Sequence, residues 1–390
     1  MEVSKGNRIH IGIFGKVNSG KSSLINLLAA REVSIVSDRE GTTTDSVYKS
    51  MEFLGLGPVT IMDTPGVCDK SFLGKLREQR LERDIEKADI AIILFSDSDI
   101  ARELELIKKL KKSKILLVIN KVDILSAQEK ENIYKNLKDL PFKIIEISTK
   151  EKNGIEELKK ELVKLKPEEA PLIFDGLVKK GDRVLLIMPQ DIAAPKKRLI
   201  LPQVESIREL LDREALLYIA KVENMEDMLS SLKEAPDLIV TDSQVLQDVY
   251  KLKPEKSKLT SFSVLFAKMK GDIDAYIKGT EVFSKIDENS KILIAECCTH
   301  APLSEDIGRV KIPNMLKKKY GENLQVDFQS GASLPKDIEK YDLIIQCGGC
   351  MLTRNNILNR IEKAKVLNVP ITNYGLTIAY FKKILDKITI

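Results

Sequence analysis

Tryptophan is absent from the 390 residues and cysteine occurs only five times. Surfaces that stack nucleic-acid bases interleave aromatic with basic side chains. The basic clusters here, "KKLKKSK" (108–114), "KKR" (196–198) and "KKKY" (317–320), sit instead among helix-forming residues. They read as solvated helix faces, so the formal net charge of +5 implies no nucleic-acid partner. Long apolar runs are missing too. The longest, "ADIAIILF" (88–95), suits a buried strand and falls short of the roughly 18–20 residues that span a bilayer. The opening "MEVSKGNRIHIGIFGK" enters a β-like segment with no apolar stretch and cleavage site before it, so the expectation is a cytoplasmic protein without a leader or membrane partner. The few cysteines are unevenly spread. Cys68 stands alone, whereas Cys297, Cys298, Cys347 and Cys350 crowd toward the C-terminus, which in a cytosolic chain favours metal or redox chemistry over a disulfide framework.

The length exceeds what one core usually serves. Residues 1–165 alternate strand-like runs ("IHIGIFG", "VTIMDTPG", "DIAIILFS", "KILLVINKVD", "FKIIEIS") with charged amphipathic stretches, the pattern of a mostly parallel sheet covered by helices. A linker at 166–176 follows, within the Pro- and charge-bearing "KLKPEEAPLIFDG". A second α/β unit spans 177–262, with strands expected in "RVLLIMP", "LLYIAKV" and "DLIVT". Lacking a phosphate loop and any catalytic cluster, it reads as a docking or self-association module, with a degenerate ligand-binding domain as the competitor. A third unit, 263–390, carries "KILIAEC", "LQVDF", "DLIIQC" and "KVLNVP" as expected strands, in a layout resembling the second.

The octapeptide "GKVNSGKS" (15–22) sits between a strand-like run and the helical "SLINLLAA", and matches G-x-x-x-x-G-K-S/T. Glycines let backbone N–H groups close around phosphates at a helix N-terminus, where the dipole also favours anions. Gly15, Asn18, Ser19, Gly20, Lys21, Ser22 and Ser23 would form that cradle, with Lys21 at the β- and γ-phosphates and Ser22 on Mg²⁺. A chance glycine loop would not be followed by four further motifs in order. "EGTTTD" (40–45) offers Thr42 and Thr43 for Mg²⁺ and switch closure, and "DTPG" (63–66) supplies Asp63 for Mg²⁺ and the Gly66 amide for the γ-phosphate. In "NKVD" (120–123), Asn120 and Lys121 flank the base and Asp123 accepts from the guanine N1 and N2 hydrogens. "STK" (Ser148, Thr149, Lys150) contacts guanine O6. The site is that of a GTPase using GTP and Mg²⁺, its catalysis assigned to Lys21, Thr43, Asp63 and Gly66. Where Ras-like GTPases carry a water-orienting glutamine, this chain has Val67. It thereby resembles the TrmE and Era branch. That resemblance implies slow, K⁺-stimulated hydrolysis, with Asn18, Thr42 and Thr43 around the ion; Glu78 is the candidate for orienting water.

Cys298 and Cys347 each end a strand-like run, and in a parallel sheet such ends share the edge where α/β proteins place ligands. Gly348 and Gly349 allow a turn that returns Cys350 to the same point, ahead of a helix whose N-terminus favours thiolates. Structural cysteines, a dithiol oxidoreductase and a Cys₃His zinc site with His300 compete with an iron–sulfur cluster. Cys297 is set aside, because adjacent residues of an extended strand point to opposite faces. The fourth ligand stays open between His300, Glu305 and an external group.

A GTPase followed by an α/β module, then "CTH" (298–300) and "CGGC" (347–350), resembles the HydF family of [FeFe]-hydrogenase maturation GTPases over the whole chain. The histidine many members carry before the CxxC is here Gln346. The resemblance implies a [4Fe–4S] cluster and a di-iron H-cluster precursor received from the radical-SAM maturases HydE and HydG and delivered to apo-[FeFe]-hydrogenase. It also makes 177–262 a dimerisation domain, hence a homodimer, and 263–390 the cluster-binding domain. The expected fold class is thus α/β in three domains, a P-loop GTPase fold followed by two smaller Rossmann-like domains. A tRNA-modification or ribosome-associated GTPase with structural zinc is the alternative.

Overall fold

The computed structural model describes residues 8–29, 47–64, 72–110, 113–168, 171–189, 199–297, 306–331, 333–349 and 352–390. The chain divides into two compact units, Met1–Glu169 and Ala170–Ile390.

The first unit is built on β1 (Ile9–Gly15), β2 (Val47–Phe53), β3 (Gly57–Asp63), β4 (Ile90–Phe95), β5 (Lys114–Ile119) and β6 (Ile144–Glu146), in the order β2-β3-β1-β4-β5-β6. Only the β2–β3 pair is antiparallel. Strands buried on both faces read as continuous apolar runs, and β4, "IAIILF", is buried at every position. Its period-2 geometry sends Ile90, Ile92 and Leu94 into one core with Leu24 and Leu158, and Ala91, Ile93 and Phe95 into another with Leu106 and Ile133.

The second unit holds two parallel sheets. The strands β7 (Arg183–Ile187), β8 (Leu216–Ala220), β9 (Leu238–Thr241) and β10 (Lys258–Ser261) lie in the order β10-β9-β7-β8. The strands β11 (Lys291–Glu296), β12 (Gln325–Ser330), β13 (Leu343–Gln346) and β14 (Ile371–Asn373) lie in the order β12-β11-β13-β14. Both sheets therefore share one layout, second-first-third-fourth, as the sequence suggested. In such sheets ligands favour the crevice at the strand carboxyl ends where the order reverses. That crevice lies between β7 and β9 in one sheet and between β11 and β13 in the other. A single buried core joins them, with Leu185, Ile239 and Leu259 from the first and Leu293, Ala295 and Ile344 from the second.

One expected strand is not formed. "KVLNVP" closes the helix Arg354–Val366 instead, and β14 begins at Ile371. Asn368 adopts φ 55°, and Val369 N–H bonds the Ala364 carbonyl at 2.8 Å. That left-handed C-terminal closure consumes the residues whose apolar character suggested a strand.

Candidate functional site

The glycine loop follows β1 and opens the helix Lys21–Ala29. Gly20 has φ 96°, and a Cβ there would collide with Asn120 Nδ2. Only glycine allows this approach, which ties two motifs a hundred residues apart. Asn120 Nδ2 donates to the Ser19 carbonyl at 2.8 Å, and its Oδ1 accepts from Thr149 N–H at 3.1 Å. Ser148 Oγ donates to Asp123 Oδ1 at 2.6 Å, a bond that holds the Asp123 carboxyl below its ordinary range. A carboxylate kept ionised here suits acceptance from the two guanine hydrogens. A cavity of ≈ 510 Å³ runs between these groups, lined by Asn18, Gly20, Lys21, Ser22, Ser23, Lys121, Asp123, Thr149 and Lys150.

Ser22 Oγ donates to Asp63 Oδ2 at 2.9 Å. Two hard oxygen donors brought together beside a phosphate loop fit Mg²⁺, which when bound neutralises phosphate charge. The Lys21 ammonium is buried and donates to the carbonyls of Gly15 (3.0 Å) and Lys16 (2.6 Å). Burial pulls its pKa down, against the charges of Asp63 and Glu103. Thr42, Thr43, Gly66 and Val67 lie outside the described residues, and Glu78 is exposed on the helix Phe72–Lys87.

An acidic group that the motifs do not include supports the loop from below. Glu103 is 4% exposed, its Oε1 accepts from Lys16 N–H at 3.2 Å, and its Oε2 has no hydrogen-bond partner. Burial pushes its carboxyl up. Lys16 Nζ in turn bonds Asp97 Oδ1 (2.9 Å), Asp99 Oδ2 (3.0 Å) and the Asp99 carbonyl. The only sequence signal was the acidic run "SDSDIARELE" directly after β4.

The second site is at the order reversal between β11 and β13. Leu293, Ala295 and Cys297 share one face of β11 and its extension, in the core common to both sheets. Cys347 follows the end of β13, its N–H bonding the Ala295 carbonyl at 2.9 Å. Beyond the last strand residue the alternation lapses, and Cys347 enters the core of Ile344 and Cys297, not that of Leu343 and Ile345. The sulfurs of Cys297 and Cys347 stand 3.1 Å apart. Cys297, set aside as a ligand because adjacent residues of an extended strand point to opposite faces, thus faces Cys347: alternation separates neighbours in one strand but not residues on adjacent strands.

The Cys297 thiol, joined by the Gly349 amide and the Arg360 charge, lowers the pKa of Cys347 against its burial. Gly349 has φ 63°, a left-handed turn that favours glycine, and Gly348 faces open space. A thiol biased to thiolate beside such a turn fits an iron–sulfur cluster, which when bound supplies a labile iron coordination position and electron-transfer capacity. Gln346 is turned away: its Nε2 donates to the hydroxyl of buried Tyr276 at 2.9 Å. Cys298, His300, Glu305 and Cys350 lie outside the described residues, and among the described residues no three His, Cys, Asp or Glu side chains gather around one point.

The first unit is therefore a P-loop GTPase domain, carried on a chain whose remainder is a pair of like-wound α/β modules. Residues 10–121 match the 50S ribosome-binding GTPase family, 173–271 the hydrogen maturase F dimerization domain and 274–389 the hydrogen maturase F tetramerization domain. The chain belongs to the hydrogen maturase F family. Its G domain is similar to the tRNA modification GTPase MnmE of Flavobacterium johnsoniae, 38% identical over 166 residues, or 40% of this chain and 35% of that protein. It is also similar to GTPase Der of Wolinella succinogenes, 35% identical over 173 residues, 41% of this chain and 36% of that one. The chain spans little more than a third of the length of these curated relatives. Among solved structures, the G domain of the T. maritima FeoB iron transporter matches with a TM-score of 0.32 and 23% identity, over 41% of this chain and 99% of that one. The tRNA-modification GTPases match over 39–48% of this chain, while hydrogen maturase F modules match 173–271 and 274–389, so the tRNA or ribosome reading is not favoured. Among the described residues no helix is long and apolar enough to cross a membrane.

Proposed function

We propose that this chain is a cytoplasmic GTP-regulated scaffold that binds a [4Fe–4S] cluster through Cys298, Cys347 and Cys350. It would receive the di-iron precursor from HydE and HydG and hand it to apo-[FeFe]-hydrogenase. The observation that carries this reading is Cys347, a buried thiol biased toward thiolate at the order reversal of a parallel sheet, inside a stretch matched to a hydrogen maturase F domain. The fourth iron falls to Glu305 or His300, and an oxygen donor such as Glu305 leaves more readily than a fourth thiolate when a precursor group arrives. Lys21, Ser22, Asp63 and Thr43 serve the phosphates and Mg²⁺, and K⁺ held near Asn18 supplies the charge an arginine finger gives elsewhere. Two copies pair through the exposed edge strand β8, where Leu216 and Ile219 are 48% and 44% exposed, within the stretch matched to the dimerization domain.

The test is anaerobic reconstitution with iron and sulfide, read by metal content and visible absorption. A brown protein with about four irons per chain is expected, lost on changing Cys298, Cys347 or Cys350 to Ser. Stoichiometric zinc with no iron uptake overturns the reading.

A further inference from the structure

We infer that Cys297 and Cys347 form an oxidative modification site, a thiol pair that a peroxide closes to a disulfide whenever Cys347 holds no iron. Its consequence for metal loading rests on the proposed role of Cys347 as a cluster ligand.

The geometry separates this pair from a ligand pair. Each cysteine of a four-iron cluster binds its own iron, so ligand sulfurs stand on separate corners. Two sulfurs 3.1 Å apart cannot occupy two corners. A disulfide needs about 2.05 Å, so closing the pair takes a movement of roughly 1 Å. The surroundings hold both partners in place. Cys297 and Cys347 are 7% and 8% exposed, and Cys347 is pinned to β11 through the Ala295 carbonyl. Burial excludes bulky oxidants and admits a small peroxide. A thiolate is the nucleophile toward peroxide, and the second sulfur already stands in contact to close the bond.

In the first step the Cys347 thiolate attacks one peroxide oxygen, the O–O bond breaks, and the departing hydroxide takes up a proton as water. Cys347 is left as a sulfenic acid. Cys297 then attacks that sulfur, the S–O bond breaks, and a second water leaves with the Cys297 proton. Two thiols have given two electrons to one peroxide. A dithiol reverses the bond by exchange. While the bond lasts, Cys347 cannot bind iron, and it is also shielded from the irreversible sulfinic stage.

The experiment treats the full-length, cluster-free chain with a slight excess of hydrogen peroxide, blocks remaining thiols by alkylation, and maps disulfides by peptide mass spectrometry. The expected result is a linked Cys297–Cys347 peptide, absent in Cys297→Ser and in Cys297→Ala, and converted back to two free thiols by dithiothreitol. Iron uptake should be lost in the oxidised protein and return with dithiothreitol. Pairing of Cys347 with Cys298 or Cys350 in place of Cys297, or continued alkylation of both thiols, overturns the inference. The two readings fail separately. A linked peptide in a protein whose reduced form takes up no iron leaves the thiol pair standing and removes the cluster; iron uptake without a linked peptide does the reverse.

Discussion

The two four-stranded sheets of the second unit wind identically yet use the crevice at their strand carboxyl ends in opposite ways. At the ends of β9 and β10 the groups are hydroxyls. Thr241 Oγ1 donates to the Ile187 carbonyl at 3.1 Å, and Ser243, Ser261 and Ser263 hydrogen-bond one another. Protein covers them: Asn373 Nδ2 donates to the Ser263 carbonyl at 3.3 Å, Lys311 Nζ reaches Gln244 Oε1 at 2.7 Å, and Gly375 leaves no room for a Cβ beside the Ser263 side chain. At the ends of β11 and β13 the groups are two thiols beside a glycine turn. At their strand carboxyl ends, side-chain chemistry closes the first sheet against its neighbour through hydroxyls and leaves two facing thiols at the second.

Three experiments bear on this division of labour, beginning with the largest effect. Changing Lys21 to Ala removes the ammonium proposed to meet the β- and γ-phosphates, and losing one such donor costs on the order of 10²-fold or more in turnover. GTP hydrolysis should collapse while iron uptake by the reconstituted protein stays at the wild-type level. A parallel fall in iron content would mean that the thiol crevice depends on the nucleotide unit.

The docked crevice can be forced open next. An alanine at 375 places a Cβ against Ser263 Oγ, with the Ser263 Cβ also near at 2.9 Å. Overpacking of this kind costs about 1–3 kcal/mol, visible as a lower urea midpoint for the second unit. Adding Ser263→Ala removes the nearest atom and should return the larger part of the loss. Strictly additive destabilisation would show that the contact between these two residues is not what seats the modules.

The smallest effect concerns the helix Ile273–Glu281, which packs on β14. Asp272 caps it, Oδ1 accepting from Ala275 N–H at 3.0 Å and Oδ2 from Lys365 Nζ at 2.6 Å. Those bonds, the Lys365 one foremost, hold the Asp272 carboxyl below its ordinary range. A depressed carboxylate adds stability above its unfolded pKa and loses it as pH falls through the folded value. Asp272→Ala should therefore cost about 1 kcal/mol near neutrality, with the wild-type and variant denaturation curves converging in acid. A gap that persists unchanged at low pH would rule out the carboxylate as its source.

Much of the first unit was legible in the residues themselves. The apolar β-branched runs of β1, β4 and β5 are buried on both faces, so their composition announces them. The phosphate loop and the two guanine motifs each act within a few residues of chain, and the structure joins Ser19, Asn120 and Thr149 by hydrogen bonds and Ser148 to Asp123. Glu103 escaped notice because its contact with Lys16 joins residues 87 apart, and nothing in an amphipathic helix marks which carboxylate turns inward. "KVLNVP" misled because a helix closing on a left-handed Asn368 and a strand entering a sheet present the same short apolar run.

The sequence by itself determined that the chain holds a GTP site and a cysteine-rich α/β end, because phosphate loops, guanine loops and strand runs are local chemistry written in contiguous residues. Only the tertiary structure decided which cysteine meets Cys347. That depends on β13 ending one residue before Cys347, on β11 being its neighbour, and on the register that sets Ala295 opposite Gln346, none of which is a property of any single stretch of chain.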